Sequence, residues 1–378
     1  MAGLYIHIPF CKSRCIYCGF YSSTLFQLRQ RYVDALCKEM EMRSNYLNEY
    51  AHTIYIGGGT PSQLTSTQFR QIFSQLKHVF YSNTNFVPDE VTVECNPDDM
   101  NEQLAQLLAE LGVNRVSMGV QTFSEQRLRF LRRRHTAAQI PEAINCLRRA
   151  GINNISIDLM YGFPNETLDD WNTDIDKALA LGVQHLSAYS LMYEEGTPLY
   201  AMLEKGEVEE IDEELSLQMY ATLIDRLTQS GYSHYEISNF ALKGLNGYEY
   251  RSIHNSSYWR QVPYLGLGAA AHSFDGNYRE WNIDDVHQYI IGIEKGQRLS
   301  EKEMLDEDTR YNELVMTRLR TSEGLPLALL TDEQNAYMQS QAECFLNDHL
   351  LSMDHNHVVL TRRGLFVSNM VMSGLMKV

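Results

Sequence analysis

Hydrophobic and polar residues change period repeatedly along this chain, and each change predicts an element. Tyr5 to Ile8 is a short apolar run that reads as a buried strand. From Leu25 to Tyr50 the apolar residues Leu28, Tyr32, Ala35, Leu36 and Met40 recur at helical spacing among charges, predicting an amphipathic helix. Thr53 to Ile56 is a β-branched run that ends in Gly57, Gly58 and Gly59, so a strand there feeds a tight backbone loop. Further strands are predicted over Glu90–Cys95, Asn114–Gln121, Asn154–Tyr161 and Gln184–Leu191, with helices over Asn101–Leu111 and Leu168–Leu181 between them. Ser124 is a candidate N-cap for the segment after the fourth strand.

Strands alternating with helices predict parallel βα units and an α/β fold. Six such units within about 190 residues predict a barrel or part-barrel. In that architecture active groups come from the carboxyl ends of strands, which is where Cys11, Gly57 to Thr60, Glu94, Gln121 and Asp158 fall. Ile211–Ser230 predicts another helix and His234–Ser238 a strand. After about Asp284 the composition shifts to helix formers, with a helix over Asn312–Leu319 and a strand or wing at Val358–Gly364. The expected division is therefore 1–284, comprising βα units over 1–230 and an extension over 231–284, followed by a small helical or winged-helix-like domain over 285–378.

A net charge of −16 argues against a protein that grips phosphate backbones, so nucleic acid is not an expected partner. There is no apolar run of about 18 residues to span a membrane. Seven cysteines without framework spacing fit a reducing compartment, and no secretory leader precedes the first of them, so a cytoplasmic location is expected.

Cys11, Cys15 and Cys18 stand at C-x-x-x-C-x-x-C spacing just after the first strand. Three thiolates do not complete a four-ligand structural zinc site. They do suit an iron–sulfur cube whose fourth iron stays open to another ligand. Two other readings stand beside it: cysteines packed as small hydrophobes, and a redox pair at Cys15 and Cys18.

The triple-glycine loop lets backbone amides approach a ligand, but no Gly-Lys-Ser or Gly-Lys-Thr comes after it, so it is not a P-loop. Glu94, Gln121 and Asp158 end apolar strands, where they serve either structural pairing or a polar ligand. Arg127 to Arg134 is a basic run on a helix end, readable as a solvated face or as a reach toward an anion. His254, Asn255, Tyr258 and Trp259 cluster polar and aromatic groups; the histidine reads either as a satisfied core residue or as an axial haem ligand.

Together the cysteine motif, Gly57-Gly-Gly-Thr-Pro61, Ser117-Met-Gly-Val-Gln-Thr-Phe123, Asp158-Leu-Met-Tyr-Gly-Phe-Pro164 and His254-Asn-Ser-Ser-Tyr-Trp259 resemble radical S-adenosylmethionine enzymes of the HemN/HemW group. The resemblance spans nearly the whole chain. It implies a radical SAM partial (β/α)6 barrel with a HemN-type C-terminal domain. It also implies a [4Fe-4S] cluster on Cys11, Cys15 and Cys18, with S-adenosylmethionine on the open iron and open to reductive cleavage. Carried over by position, Tyr5 and Tyr17 flank the cofactors, and Gly58, Gly59 and Thr60 meet the methionine moiety. Glu94, Gln121, Arg133 and Asp158 make the remaining contacts, and His254 is the candidate haem ligand.

Within the group, oxygen-independent coproporphyrinogen III oxidases carry an N-terminal extension and a fourth cysteine two residues after the third. This chain reaches its motif at Tyr5 and has Phe20 at that position. The resemblance therefore favours the haem-chaperone branch, with haem as cargo, haem-accepting proteins as partners, some of them membrane-associated, and flavodoxin or ferredoxin as electron donor. Porphyrinogen decarboxylation is the alternative activity.

Overall fold

The computed structural model describes residues 2–82, 84, 86–244 and 247–377. Its main feature is one twelve-stranded sheet. Six strands, β1 (Ala2–Ile8), β2 (Ala51–Gly58), β3 (Glu90–Cys95), β4 (Arg115–Gln121), β5 (Asn154–Tyr161) and β6 (His185–Ser190), lie side by side in sequence order, all parallel. That order is the expected partial (β/α)6 barrel. Antiparallel strands extend its far side through β7 (Tyr232–Glu236) and β8 (Asn239–Leu242). On the near side, β9 (Tyr264–Leu267) pairs parallel to β1, and β10 (His272–Phe274), β11 (Tyr278–Asn282) and β12 (Ser300–Met304) continue antiparallel.

The barrel strands alternate in their central residues. Leu4, Ile6, Ile54, Ile56, Val116 and Met118 belong to the apolar core on the outer face. There they meet helices such as α1 (Arg29–Met42), α2 (Ser66–Phe80) and α3 (Glu102–Glu110). The opposite face carries Tyr55, Glu94, Arg115, Ser117, Asp158 and Ser187, which line a cavity. A period of two thus gives the sheet a dry outside and a polar inside.

Helix α1 covers only part of its predicted span, because a 3-10 turn occupies Phe26–Leu28 and the helix stops at Met42. Its inner face carries a buried polar network. Glu39 accepts from Gly268 N at 2.8 Å, Asn282 Nδ2 at 2.7 Å and the Tyr289 hydroxyl at 2.7 Å. Two turns earlier, the Tyr32 hydroxyl donates to the His7 carbonyl at 2.8 Å and accepts from Ala269 N at 3.0 Å, joining β1 to the turn at Gly268. Removing that hydroxyl leaves two buried backbone groups unpaired. Tyr32→Phe is expected to cost about 1–3 kcal/mol, read as a lower urea midpoint at unchanged slope.

The helices after β4 are α4 (Glu125–Phe130), capped as expected by Ser124, and α5 (Gln139–Arg149). Then come α6 (Leu168–Ala180), α7 (Pro198–Glu204) and α8 (Glu213–Gln229). A short helix, α9 (Ile253–Trp259), has its first turn held by Glu90, whose carboxylate accepts from Ile253 N at 2.8 Å and His254 N at 3.0 Å. Helix α10 (Val286–Glu294) packs on α1.

A second apolar cluster is built from Tyr311, Val315, Leu325, Met338, Val358 and Val371 among others. It joins α11 (Glu307–Leu319), α12 (Asp332–Asn347), α13 (Arg362–Phe366) and α14 (Ser368–Leu375) to a small antiparallel sheet. In that sheet β15 (His357–Leu360) lies between β13 (Leu325–Pro326) and β14 (Leu351–Asp354), giving the wing seen in the sequence. Among the described residues no helix is long and apolar enough to cross a membrane.

Candidate cofactor site at the strand ends

The loop after β1 carries all three motif cysteines and is pinned at both ends. Cys11 N donates to Ser23 O at 3.0 Å, and Ile16 N donates to Leu131 O at 3.3 Å. Arg14 spans the loop, donating from Nε to the Ser22 hydroxyl at 3.1 Å and from Nη2 to the Ser22 carbonyl. Cys11, Cys15 and Cys18 are free thiols on one wall of a cavity of about 680 Å3. Cys11 Sγ lies 3.4 Å from Thr60 Oγ1, and Arg133 Nη1 donates to Cys15 Sγ at 3.6 Å.

Burial pushes the Cys18 thiol up to about 11, and the neighbouring Cys15 and Cys11 push it further in the same direction. That thiol is therefore protonated until a metal displaces the proton. No group of three His, Cys, Asp or Glu among the described residues is gathered to hold a single metal ion. Three unpaired thiols on one loop at the cavity wall, with Cys95 buried at 3% exposure in β3 beside it, fit an iron–sulfur cube with one open iron.

The glycine loop forms the next wall. Gly58 has φ of +110°, and a Cβ there would come within 2.5 Å of the His7 ring. A Cβ on Gly59 would meet the backbone of Ile8 and Pro9 at 2.9 Å. Only glycine therefore lets this loop lie against the end of β1. Gly58 N donates to Glu94 at 3.1 Å, and the Tyr55 hydroxyl donates to the same carboxylate at 2.7 Å.

Burial pushes Glu94 up to about 7, with the nearby Asp158 adding to the effect. Burial likewise pushes Asp158 up to about 6, against the pull of Arg115 and of hydrogen bonds from Ser187 and Ser117. Two carboxylates held near neutrality inside a polar cavity are poised to receive a cationic ligand. Gln121 sits at φ of +69°, just after a register shift between Gly119 and Gln121 on β4. A bulge at a strand end re-aims a side chain, and this one directs Gln121 into the cavity.

The basic run divides by position. Arg127 pairs with Glu166 and Asp170, and Arg134 pairs with Asp98 and Asp99. Arg133 instead turns inward, donating to Asn96 Oδ1 at 2.7 Å and to Gly119 O at 2.5 Å.

Cys11, Cys15, Cys18, Tyr17, Gly58, Gly59, Thr60, Glu94, Gln121, Arg133 and Asp158 thus line one cavity. Two expected residues lie elsewhere. Tyr5 stacks on Tyr55 with ring centroids 6.2 Å apart, points its hydroxyl at His7 Nδ1 at 2.9 Å, and faces a second cleft. His254 is 1% exposed, and both of its ring nitrogens are engaged, with Thr53 Oγ1 and the Tyr258 hydroxyl, each at 2.8 Å. Burial holds its ring down at about 3, hence neutral. In this arrangement neither nitrogen is free for a metal, and His254 fills the satisfied-core role that stood as the alternative for it.

Arg115 escaped the sequence reading. It is 1% exposed at the start of β4 and lines the cavity, with Nε and Nη1 lacking a hydrogen-bond partner among the described residues. Its signal is the period of two it shares with Ser117, both alternating with the apolar Val116 and Met118.

The radical SAM superfamily model matches residues 5–178, and the HemN C-terminal domain model matches residues 305–367. The haem chaperone HemW of Lactococcus lactis is 32% identical, with 97% of this chain and 95% of that protein aligned. That of Bacillus subtilis is 33% identical over 98% of each chain. In Mycobacterium tuberculosis the corresponding HemW is 33% identical over 99% of this chain and 94% of its own. Among solved structures, the Escherichia coli coproporphyrinogen III oxidase HemN, a radical SAM enzyme, superposes with a TM-score of 0.83 at 22% identity, covering 100% of this chain and 90% of that one. The structural likeness establishes the shared fold, and the full-length identity narrows it further: the chain belongs to the HemW family of radical SAM proteins.

Proposed function

We propose that this chain is a haem chaperone. It holds a [4Fe-4S] cluster and S-adenosylmethionine in the strand-end cavity, binds haem, and hands it to acceptor proteins in the cytoplasm or at a membrane surface. The observation that carries the reading is near full-length identity to proteins named as haem chaperones. It is joined by a loop that brings three cysteines to the cavity, while Phe20, where the oxidases have a fourth, is 75% exposed.

In this reading Cys11, Cys15 and Cys18 ligate the cluster. Gly58, Gly59 and Thr60 receive the methionine part of S-adenosylmethionine, and Glu94 and Asp158 receive its cationic and hydroxyl groups. Gln121 and Arg133 complete the contacts, with Tyr17 flanking. Tyr5, across the wall formed by Tyr55, contributes through the adjoining cleft. When bound, the cluster supplies an electron, delivered by flavodoxin or ferredoxin, to a sulfonium. The protein's share is orientation and exclusion of water.

The test sets haem transfer against porphyrinogen turnover. Cluster-reconstituted protein is titrated anaerobically with haem, then mixed with an apo haem protein; uptake and release are followed at the Soret band. The same preparation is incubated with S-adenosylmethionine, reductant and coproporphyrinogen III. The reading expects haem transfer and no protoporphyrin after oxidation. Protoporphyrin above a Cys15→Ala control would make the chain an oxidase instead.

A further inference from the structure

Beside the cofactor cavity lies a second cleft of about 800 Å3, within the range of roughly 300–1,000 Å3 that takes compact organic ligands. Its walls are aromatic: Tyr5, Tyr21, Tyr258, Tyr264 and Trp281. His272, on β10, projects at its side from an exposed position. The ring nitrogens of His272 have no hydrogen-bond partner among the described residues. Its ring stacks on Trp281, cross-strand, with centroids 5.7 Å apart and planes inclined by 24°. His7, the other histidine of the cleft, has its two nitrogens at Tyr5 and Tyr21.

We propose that this cleft is the haem site, that His272 is the axial ligand, and that His254 serves it from behind as a positioning residue. The proposal rests on the haem-handling reading above. Haem iron takes a histidine nitrogen that is unprotonated and unobstructed, and the macrocycle takes flat aromatic walls. His272 offers the nitrogen, and the indole of Trp281 limits the ring's orientation. Burial and the nearby Arg279 favour the neutral, ligating form of this imidazole.

His254 acts through Tyr258. Its Nε2 holds the Tyr258 hydroxyl, and the Tyr258 ring meets Tyr264 edge-on at 4.7 Å, so one hydrogen bond fixes two walls of the cleft. Helix α9 thereby serves both sites, since its Asn255 lines the cofactor cavity and its Tyr258 lines the cleft. Gly19 and Phe20 border both spaces as well, bringing the cluster loop to the lip of the haem site.

Asp284 and Glu301 line the cleft, and no lysine or arginine among the described residues does. Propionates would be repelled by those carboxylates and would find no cationic partner in the cleft, so the proposed mode leaves them facing water.

The experiment is a haem titration of the cluster-loaded protein, with the visible spectrum read for histidine ligation. Loss of an outer partner of a metal ligand weakens binding ~10–100-fold, and loss of the ligand itself is expected to reach at least that. His272→Ala is expected to lose the histidine-ligated spectrum, to regain it with added imidazole, and to keep wild-type S-adenosylmethionine binding. His254→Phe is expected to weaken uptake yet leave the histidine-ligated spectrum unchanged. Ser300→Trp, placed on the exposed strand β12 that borders the cleft, is expected to block uptake without touching either histidine. A His272→Ala protein with wild-type spectrum and affinity overturns this site while leaving the haem reading intact. A wild-type protein that takes up no haem overturns the haem reading, and the site with it.

Discussion

Cys15→Ala is expected to reduce cluster iron and sulfide to near zero while leaving the apoprotein folded. The side chain is half-buried at the cavity wall, and its sulfur accepts a hydrogen bond from Arg133 at 3.6 Å. The loop keeps its backbone anchors at Cys11 and Ile16. Removing one half-buried sulfur and its long hydrogen bond costs about 1 kcal/mol, so the apoprotein's melting temperature falls by only a few degrees. The cluster has no such tolerance. A cube held by three protein thiolates falls to two, and no other cysteine is at hand, because Cys37, Cys146 and Cys344 do not line the cavity and Cys95, which borders it, is buried at 3% exposure. Cys37→Ala and Cys344→Ala are the matched controls and are expected to retain full iron. Brown absorbance, iron and acid-labile sulfide, measured after anaerobic reconstitution, decide the matter; a Cys15→Ala protein with wild-type content of both would remove the cluster from this loop.

Much of this arrangement was legible in the sequence because it depends on local chemistry. A β-branched run before three glycines can do little else than end a strand in a tight loop, and the structure puts Gly58 at a positive φ. Strand-end polar residues such as Glu94, Gln121 and Asp158 could be identified because a parallel barrel presents its strand ends to one side. What escaped depended on partners distant in sequence. The strand β12, Ser-Glu-Lys-Glu-Met, is an exposed edge with no apolar alternation, so nothing local distinguishes it from a helix of charged residues.

His254 illustrates the same limit more sharply. Its motif draws the eye as a ligand set, but its fate is decided by Thr53, Tyr55 and Glu90, from strands some 160 to 200 positions earlier. His272, by contrast, carries no motif and is marked by its cross-strand stack on Trp281 and by ring nitrogens without a hydrogen-bond partner among the described residues. Arg115 was hidden for a third reason. It reads as one charge in an apolar strand until the period-two alternation of all six strands is set side by side.

Glu94→Gln is expected to weaken S-adenosylmethionine binding by ~10–100-fold and to flatten its pH dependence, since a charge-assisted hydrogen bond contributes about 1.5–3 kcal/mol. The wild-type carboxylate is held between the Tyr55 hydroxyl and Gly58 N. Its pKa rises from 4.5 to about 7, chiefly through burial. Below pH 4.5 the folded and unfolded states both carry the proton, and the full stabilising contribution is present. As pH climbs from there through about 7, the unfolded state ionises first and the contribution is lost, amounting to about 3 kcal/mol. A ligand bearing positive charge reverses the balance by favouring the carboxylate, so binding releases a proton and tightens as pH rises from 6 to 8. Glutamine has the same shape and no proton to release. The ligand-free variant should therefore show a smaller fall in stability between pH 4.5 and 7, keeping only the part that Asp158 contributes below about 6, and its affinity should rise less steeply than the wild type's across pH 6 to 8. Unfolding midpoints and calorimetric titration across that range test both halves. If the variant bound S-adenosylmethionine as tightly as the wild type with the same pH slope, the cation would be met by Asp158 or another group, and Glu94 would be a strap holding the glycine loop to Tyr55.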